Sequence, residues 1–478
     1  MPLRTVAAAA VAALLLVPSA ASRPSGCAQS FVTRSGTRLE VAGRSFRFGG
    51  ANVEWLGLIG YGPFDPSGPR YPTHYEIDDA MATAREMGAR VVRSQTMGDS
   101  VGCAPCLEPE LGRFNAAAFE PIDYALRSAR AHGVKVIPTI VGDDARAGGS
   151  GCVYLRWRGI DVPNCSLVKM APFWTDATVR GDVEQHVTAL LNHVNRYTGI
   201  AYKDDPTILG WDLLNGGDSP RPWTRAIVEH LRTIDRRHLV LSSAWNALIP
   251  GVDVCVAFVY PHWRQPLSSL RDERAGCRSA RKPFVAYEYG WDRTNYRTIG
   301  AFRAFLATLA KDALVAGDAF WALQAHRRGH GWMPIPANTT DRSAAARIET
   351  GQWWALYYTG IQTLVNTAQD MAARAQVIRA HNYRMAGRPV PPHAIPPRPG
   401  ITSAAGGRIY WEGSAGAKDY SVERAPARGG PWQTICRRCV TDRSNGFLDQ
   451  RRGAARPWYR VVPYNLDGRR GPPSRPAR

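Results

Sequence analysis

The sequence predicts an α/β protein, a (β/α)8 or TIM barrel followed by a small all-β sandwich. Three observations carry this. Eight apolar runs stand in order between residues 46 and 323, several are separated by amphipathic segments, and the composition shifts to proline-rich near residue 387.

The elements follow in chain order. The N-terminus, MPLRTVAAAAVAALLLVPSAAS, carries Arg4, an apolar stretch and then small residues, which reads as a secretory signal peptide over residues 1–21. The apolar run is shorter than the ~20 residues a membrane span needs, and no later segment reaches that length. A lipid anchor on Cys27 is the minority alternative, because RPSGC lacks an apolar residue directly before the cysteine.

The barrel is expected over residues 27–386. Its eight runs are FRFGGAN, ARVVRSQT, VKVIPTIV, TILGWDLLN, HLVLSSAW, VDVCVAFVY, PFVAYEYG and GDAFWAL. The clearest intervening helix spans about 176 to 197, with Val183, Val187, Leu190, Leu191 and Val194 at helical spacing and Thr175 or Asp176 as its cap. The long stretch between the third and fourth runs reads as a loop on the active-site face. Residues 387–400, GRPVPPHAIPPRPG, form a stiff linker. Residues 401–478 then carry short β-like runs, RIYWEG, YSVERA and WYRVVPYN, with Trp411, Tyr420 and Tyr459 placed to be buried.

The chain has 9 cysteines, which in an exported protein should mostly pair. Proximity suggests Cys103 with Cys106, Cys152 with Cys165, Cys255 with Cys277 and Cys436 with Cys439, leaving Cys27 over. Two C-x-x-C pairs could instead clasp zinc, but they lack obvious His partners, so no metal and no cofactor is expected. The net charge of +20 comes mainly from scattered Arg. No nucleic-acid motif accompanies it, which leaves acidic cell-wall or extracellular polymers as possible partners, or a solvated basic surface.

The chemistry concentrates in two segments, DPTILGWDLLNGGDSP and KPFVAYEYGW. Glu288 ends a buried strand among Tyr287, Tyr289 and Trp291, the setting of a nucleophilic carboxylate; the plainer reading is a structural ion pair. Trp55, Trp157, Trp263, Trp291, Trp321 and Trp332 lie near strand ends, where flat apolar faces stack on sugars, although single tryptophans are more often core. Arg93 ends the second run and can hold a carboxylate.

These segments, together with RSQTMGDS, FNAAAFEPIDYALRSARAHGVKVI, LLNHVNRYTGIAYKDDPTILGW and VAGDAFWAL, resemble glycoside hydrolase family 5, in particular its endo-β-1,4-mannanases. The C-terminal part resembles a fibronectin type III module, which usually serves as a spacer or adhesion unit. The first resemblance implies a retaining hydrolase acting on β-1,4-mannan or a related β-glycan. Glu288 is then the nucleophile, Arg93 its electrostatic support, Asn215 a contact to the sugar 2-hydroxyl, Tyr260 a hydrogen-bond partner of Glu288, and Trp321 the sugar platform, with Trp55 and Trp291 further along the cleft. The sequence departs from that pattern at two positions. The family's Asn-Glu pair reads Asn215-Gly216, and its His before the tyrosine reads Phe258.

Glycine cannot protonate a leaving oxygen, and general acid–base catalysis is worth roughly 10²- to 10⁴-fold. Asp218 can substitute if the Gly216-Gly217 turn folds back, since glycine permits unusual backbone angles. Asp212 should be buried in the strand. Two readings follow: a secreted hydrolase using Glu288 and a replacement acid, or an inactive barrel that binds polysaccharide.

Overall fold

The computed structural model describes residues 30–60, 68–142, 150–163, 165, 169–215, 218–259, 266–290, 298–329, 331–333, 355–361, 366–441, 446–450 and 456–478. The expected signal peptide, Cys27, Gly216, Tyr260, Trp263 and Trp291 lie outside these residues.

The chain opens with a small antiparallel sheet, β1 (Val32–Ser35), β2 (Arg38–Val41) and β3 (Arg44–Ser45). The barrel strands follow: β4 (Phe48–Asn52), β5 (Val91–Ser94), β6 (Lys135–Pro138), β7 (Gly210–Asp212), β8 (Leu239–Ser243), β9 (Val254–Val259), β10 (Phe284–Tyr289) and β11 (Val315–Phe320). They run parallel in the order β6-β5-β4-β11-β10-β9-β8-β7. Bridges from Val136 to Ile208 and from Thr139 to Asp212 bring β6 and β7 together, so the sheet curls into a barrel. Seven strands fall within the apolar runs and β11 begins two residues before the eighth, because strands covered on both faces are apolar throughout.

Inside the barrel, Phe48, Val91, Ile137, Leu209, Leu241, Val254, Val256, Val285 and Tyr287 form one buried cluster. Val32, Leu39, Val41 and Phe46 join it from the N-terminal sheet and its following turn, closing one end. A larger cluster fills the space between strands and helices. The helices around the barrel include α1 (His74–Glu86), α2 (Ala116–His132), α3 (Ser150–Trp157), α4 (Ala171–Thr175), α5 (Ala177–Asn192), α6 (Arg221–Ile234), α7 (Pro266–Ser279), α8 (Ile299–Lys311) and α9 (Ala368–Met385). Their starts are chemically marked. Thr73 and Glu76 make a reciprocal capping box on α1, and the Asp176 carboxylate caps α5 through the amides of Thr178 and Val179. Helix α5 stops at Asn192, earlier than expected from periodicity. Val194 is exposed and pairs with Ala201 in a bridge, because His193 turns to extended backbone.

Disulfides join Cys103 to Cys106, Cys152 to Cys165 and Cys436 to Cys439. The expected Cys255–Cys277 bond is corrected: both residues are free, buried thiols. The two nonetheless meet, β9 against α7, and the Cys277 thiol is pushed far up by its hydrogen bond with Cys255 and by burial. Among the described residues no helix is long and apolar enough to cross a membrane.

The C-terminal part holds two three-stranded antiparallel sheets. One contains β12 (Gly400–Ser403), β13 (Arg408–Glu412) and β16 (Phe447–Leu448); the other contains β14 (Ala417–Ala425), β15 (Gln433–Val440) and β17 (Trp458–Asn465). Trp411, Tyr420 and Tyr459 are buried together between them. The proline-rich stretch before this part is tied down on both sides. Arg379 of α9 donates to the carbonyl of Pro391, Glu86 accepts from the amide of Ala394, and Asn465 donates to the carbonyls of His393 and Ala394. Gly413 packs so closely on His326 of the barrel that a Cβ there would overlap the imidazole ring. That ring stacks on Trp332 at 3.9 Å and hydrogen-bonds to Asp79 of α1.

Candidate active site at the barrel mouth

Arg93 is the centre of the site. It ends β5, is wholly buried, and uses all five of its N–H donors. Nε and Nη2 donate to Asp212 Oδ2 at 3.0 and 2.8 Å, Nη1 donates to Asn52 Oδ1 at 3.1 Å and to Glu288 Oε2 at 3.0 Å, and Nη2 donates to Asn215 Oδ1 at 2.8 Å. Four strands thus converge on one guanidinium. A buried cation is stable only when paired in this way. Burial alone would lower the Arg93 pKa, but Asp212, Tyr287 and Glu288 outweigh it and raise it. Its charge is permanent at any working pH. Asp212 shifts upward because desolvation exceeds the opposing pull of Arg93 and Thr139. Buried in its strand as expected, it anchors Arg93.

The backbone explains how Glu288 reaches this layer. On β10, Val285 and Tyr287 face the barrel interior, whereas Ala286 and Tyr289 pack outward against the helices. Strict alternation would send Glu288 outward as well. The pairing of β10 with β9 and with β11 shifts register between residues 285 and 289. Such an irregularity re-aims one side chain, and it turns Glu288 inward onto Arg93. The carboxylate is 8% exposed, open enough to be reached from the mouth.

Phe258, the departure on the sixth strand, pairs with Glu288 in the ladder and tilts against Tyr287 with ring centroids 5.0 Å apart. The Arg93 guanidinium lies over both rings, 4.2 Å from Tyr287 and 5.9 Å from Phe258. An apolar ring therefore occupies this side of the nucleophile's setting and offers no proton.

The structure brings Arg93, Asn215 and Glu288 together. Asn215 presents Oδ1 to Arg93, which fixes the amide and turns its Nδ2 group away from the guanidinium. Trp321 follows β11 at the mouth and is half-buried, with its amide donating to the carbonyl of Tyr289. Trp55 is not part of this assembly. Asn52 faces the axis, so Trp55, three residues on, faces outward, 4% exposed within the core between strands and helices. Trp332 is likewise packed, on His326 and Tyr357. Asp218 is exposed beyond the fourth strand. Two residues were missed. Trp245, just past β8, is 56% exposed with Arg221 4.4 Å over its ring, and only its place after the HLVLSS run hinted at it. Glu54, just past β4, is the other.

Fold and site together define a (β/α)8 barrel with a carboxylate locked to a buried arginine at the open end. Residues 29–248 match the glycoside hydrolase family 5 β-mannosidase-like family. The chain is 30% identical over 364 residues to a putative mannan endo-1,4-beta-mannosidase 5 of Oryza sativa subsp. japonica, covering 64% of this chain and 70% of that protein. It is also 30% identical to mannan endo-1,4-beta-mannosidase 7 of Arabidopsis thaliana, over 45% of this chain and 48% of the relative. Among solved structures, the endo-1,4-beta-mannanase from Rhizomucor miehei superposes with a TM-score of 0.56 at 20% identity, covering 75% of this chain and 100% of that one. The endo-beta-1,4-mannanase from Thermotoga petrophila gives 0.55 at 18% identity, covering 90% and 98%. The chain belongs to the β-mannosidase-like group of glycoside hydrolase family 5.

Proposed function

We propose that the protein is exported and hydrolyses β-1,4-mannan or a related β-linked polysaccharide with retention, Glu288 acting as nucleophile. The observation that carries this reading is the Arg93 to Glu288 contact of 3.0 Å at the barrel mouth. A guanidinium with every donor engaged holds the Glu288 carboxyl in place, which a nucleophile attacking an anomeric carbon needs. Membership of the family supplies the substrate class, through relatives whose names specify mannan. Asn215 donates to the sugar 2-hydroxyl, and Trp321 and Trp245 offer platforms; for Tyr260 and Trp291 the family resemblance alone implies substrate contacts. Export agrees with the leader-like N-terminus and the three disulfides. The C-terminal sheets serve as a fibronectin type III-like module, and the net charge of +20 favours adhesion to acidic cell-wall polymers.

Asp218 is the nearest carboxylate in sequence to the position that Gly216 holds, which makes it the first substitute to examine. The second reading, an inactive polysaccharide-binding barrel, is favoured by the loss of titratable groups at Gly216 and Phe258. One assay separates the two. Purified protein is incubated with galactomannan and glucomannan, and released oligosaccharides are measured beside Glu288→Ala. Turnover by the wild type that the variant lowers by at least about 10³-fold supports hydrolysis. Binding to the polymer without turnover supports the second reading, and neither binding nor turnover removes both.

A further inference from the structure

The vacancy at Gly216 leaves the cleft in need of a second carboxyl group, and Glu54 meets the requirements on independent grounds. The first is direction. Asn52 on β4 points to the axis, where it binds Arg93, while Ala51, Val53 and Trp55 all pack outward in the core. The parallel pairing with the second strand continues past the end of β4: the amide of Val53 donates to the carbonyl of Arg93, and the amide of Thr96 donates to the carbonyl of Glu54. Glu54 stands in the turn that directly follows β4, between Val53 and Trp55, which both pack outward. Its side chain meets Gln324 just past β11, above the layer that Asn52 and Arg93 share.

The second ground is placement relative to Glu288. Only β11 separates the strand of Glu54 from that of Glu288. Neighbouring strands lie about 4.8 Å apart, so the two strands are about 10 Å apart; Glu54 also stands above Glu288 along the axis, and the inward side chains reach across both offsets. Retaining enzymes need their two carboxyl groups about 5 to 5.5 Å apart. The third is how Glu54 is held. The Gln324 side chain, just past β11, hydrogen-bonds to its carboxyl, and Gln324 is itself fixed by its amide donating to the carbonyl of Leu356. The other oxygen, Oε2, is buried and has no hydrogen-bond partner among the described residues. A buried oxygen left in that condition favours the protonated acid over the carboxylate.

We propose that Glu54 is the proton donor and acceptor of this cleft, taking the part that Gly216 cannot play. The proposal rests on the hydrolytic reading above. In the first step a Glu288 oxygen bonds to the anomeric carbon, the glycosidic C–O bond breaks with its electron pair on the leaving oxygen, and that oxygen takes the Glu54 proton. In the second, the Glu54 carboxylate takes a proton from water, the water oxygen bonds to the anomeric carbon, and the bond to Glu288 breaks. Both carboxyls return to their starting states. Burial raises the Glu54 pKa to about 7, against weaker opposing pulls from its own backbone amide and Gln324. The charged groups on the neighbouring strands are Arg93 and Glu288 in the layer beneath, and Asp318 of β11, which turns outward to His381 and Tyr289. By comparison, Asp218 is exposed beyond the fourth strand.

The test uses the full secreted chain as wild type, Glu54→Gln, Glu54→Ala, Asp218→Asn and Glu288→Ala, on mannan and on a dinitrophenyl β-mannoside whose leaving group needs no proton. Glu54→Gln should lower kcat/KM on mannan 10²- to 10⁴-fold but lower the bond-breaking step on the aryl substrate less than about 10-fold. Retained aryl cleavage shows that the variant is folded. The wild-type mannan profile should fall as pH rises through about 7, where the acid loses its proton, and this limb should vanish in Glu54→Gln. Azide should restore aryl turnover to Glu54→Ala by entering the space left behind. The role is overturned if Glu54→Gln keeps the wild-type rate and pH limb on mannan, or if Asp218→Asn shows the loss instead. A wild type that cleaves neither substrate overturns the hydrolytic reading and the role of Glu54 with it. Cleavage abolished by Glu288→Ala but indifferent to Glu54 overturns the role alone.

Discussion

Arg93 shows how one residue can organise a site. Two carboxylates and two amides from three other strands are all defined by their bonds to it, so replacing it leaves Asp212 and Glu288 without a counter-charge. Glu54 leads to a stability prediction separate from activity. Its folded-state pKa of about 7 lies above the ordinary 4.5, so the folded protein binds the proton more tightly than the unfolded chain does. That stabilisation is fully present below about pH 4.5 and is lost as pH rises through 7, amounting to at most about 3 kcal/mol. Glu54→Gln removes the dependence. Thermal unfolding at pH 5 and pH 8 should show the wild type losing more than the variant, and parallel curves would contradict the burial of this carboxyl. The residues of the site divide by legibility along physical lines. Arg93, Asn215 and Glu288 end apolar strands, a position visible in sequence. The outward packing of Trp55 follows from its parity with Asn52, but the boundaries of the strand were needed to apply it. Glu54 was hidden, because the side chain that holds it, Gln324, lies some 270 residues away.

At the scale of elements, the strands were readable and their irregularities were not. Eight apolar runs gave eight strands, yet the register shift on β10 that swings Glu288 inward leaves no mark in FVAYEY, where alternation alone would point the glutamate at the helices. The cysteines follow the same division. Pairs 3 and 13 residues apart closed as proximity suggested, whereas Cys255 and Cys277, on β9 and α7, meet as thiols. Both are buried, which shields them from reagents, and the Cys277 pKa is raised. Alkylation with mass spectrometry should leave both unmodified in the native protein and label both after unfolding without reductant. Failure to label them in the unfolded chain would show that the disulfide forms after all.

At the scale of the molecule, the proline-rich stretch 387–400, expected as a stiff linker, is held by hydrogen bonds from α1, α9 and β17, and contacts so distant in sequence leave no local pattern. Gly413 is the tightest point of this docking. Gly413→Val should displace His326 from Trp332 and Asp79, costing about 1 to 3 kcal/mol as overpacking does, and should expose residues 387–400 to protease. Differential scanning calorimetry with limited proteolysis reads both effects. A melting temperature and cleavage pattern like those of the wild type would mean that the two parts are not locked together as described.

The contact between Gly413 and His326 also bears on the cleft. His326 lies two residues from Gln324, whose side chain holds Glu54. The C-terminal sheets are thus a buttress behind the cleft wall rather than a hand on a leash. Any shift of those sheets would be felt at His326 and, two residues away, at the side chain that Gln324 lays against Glu54.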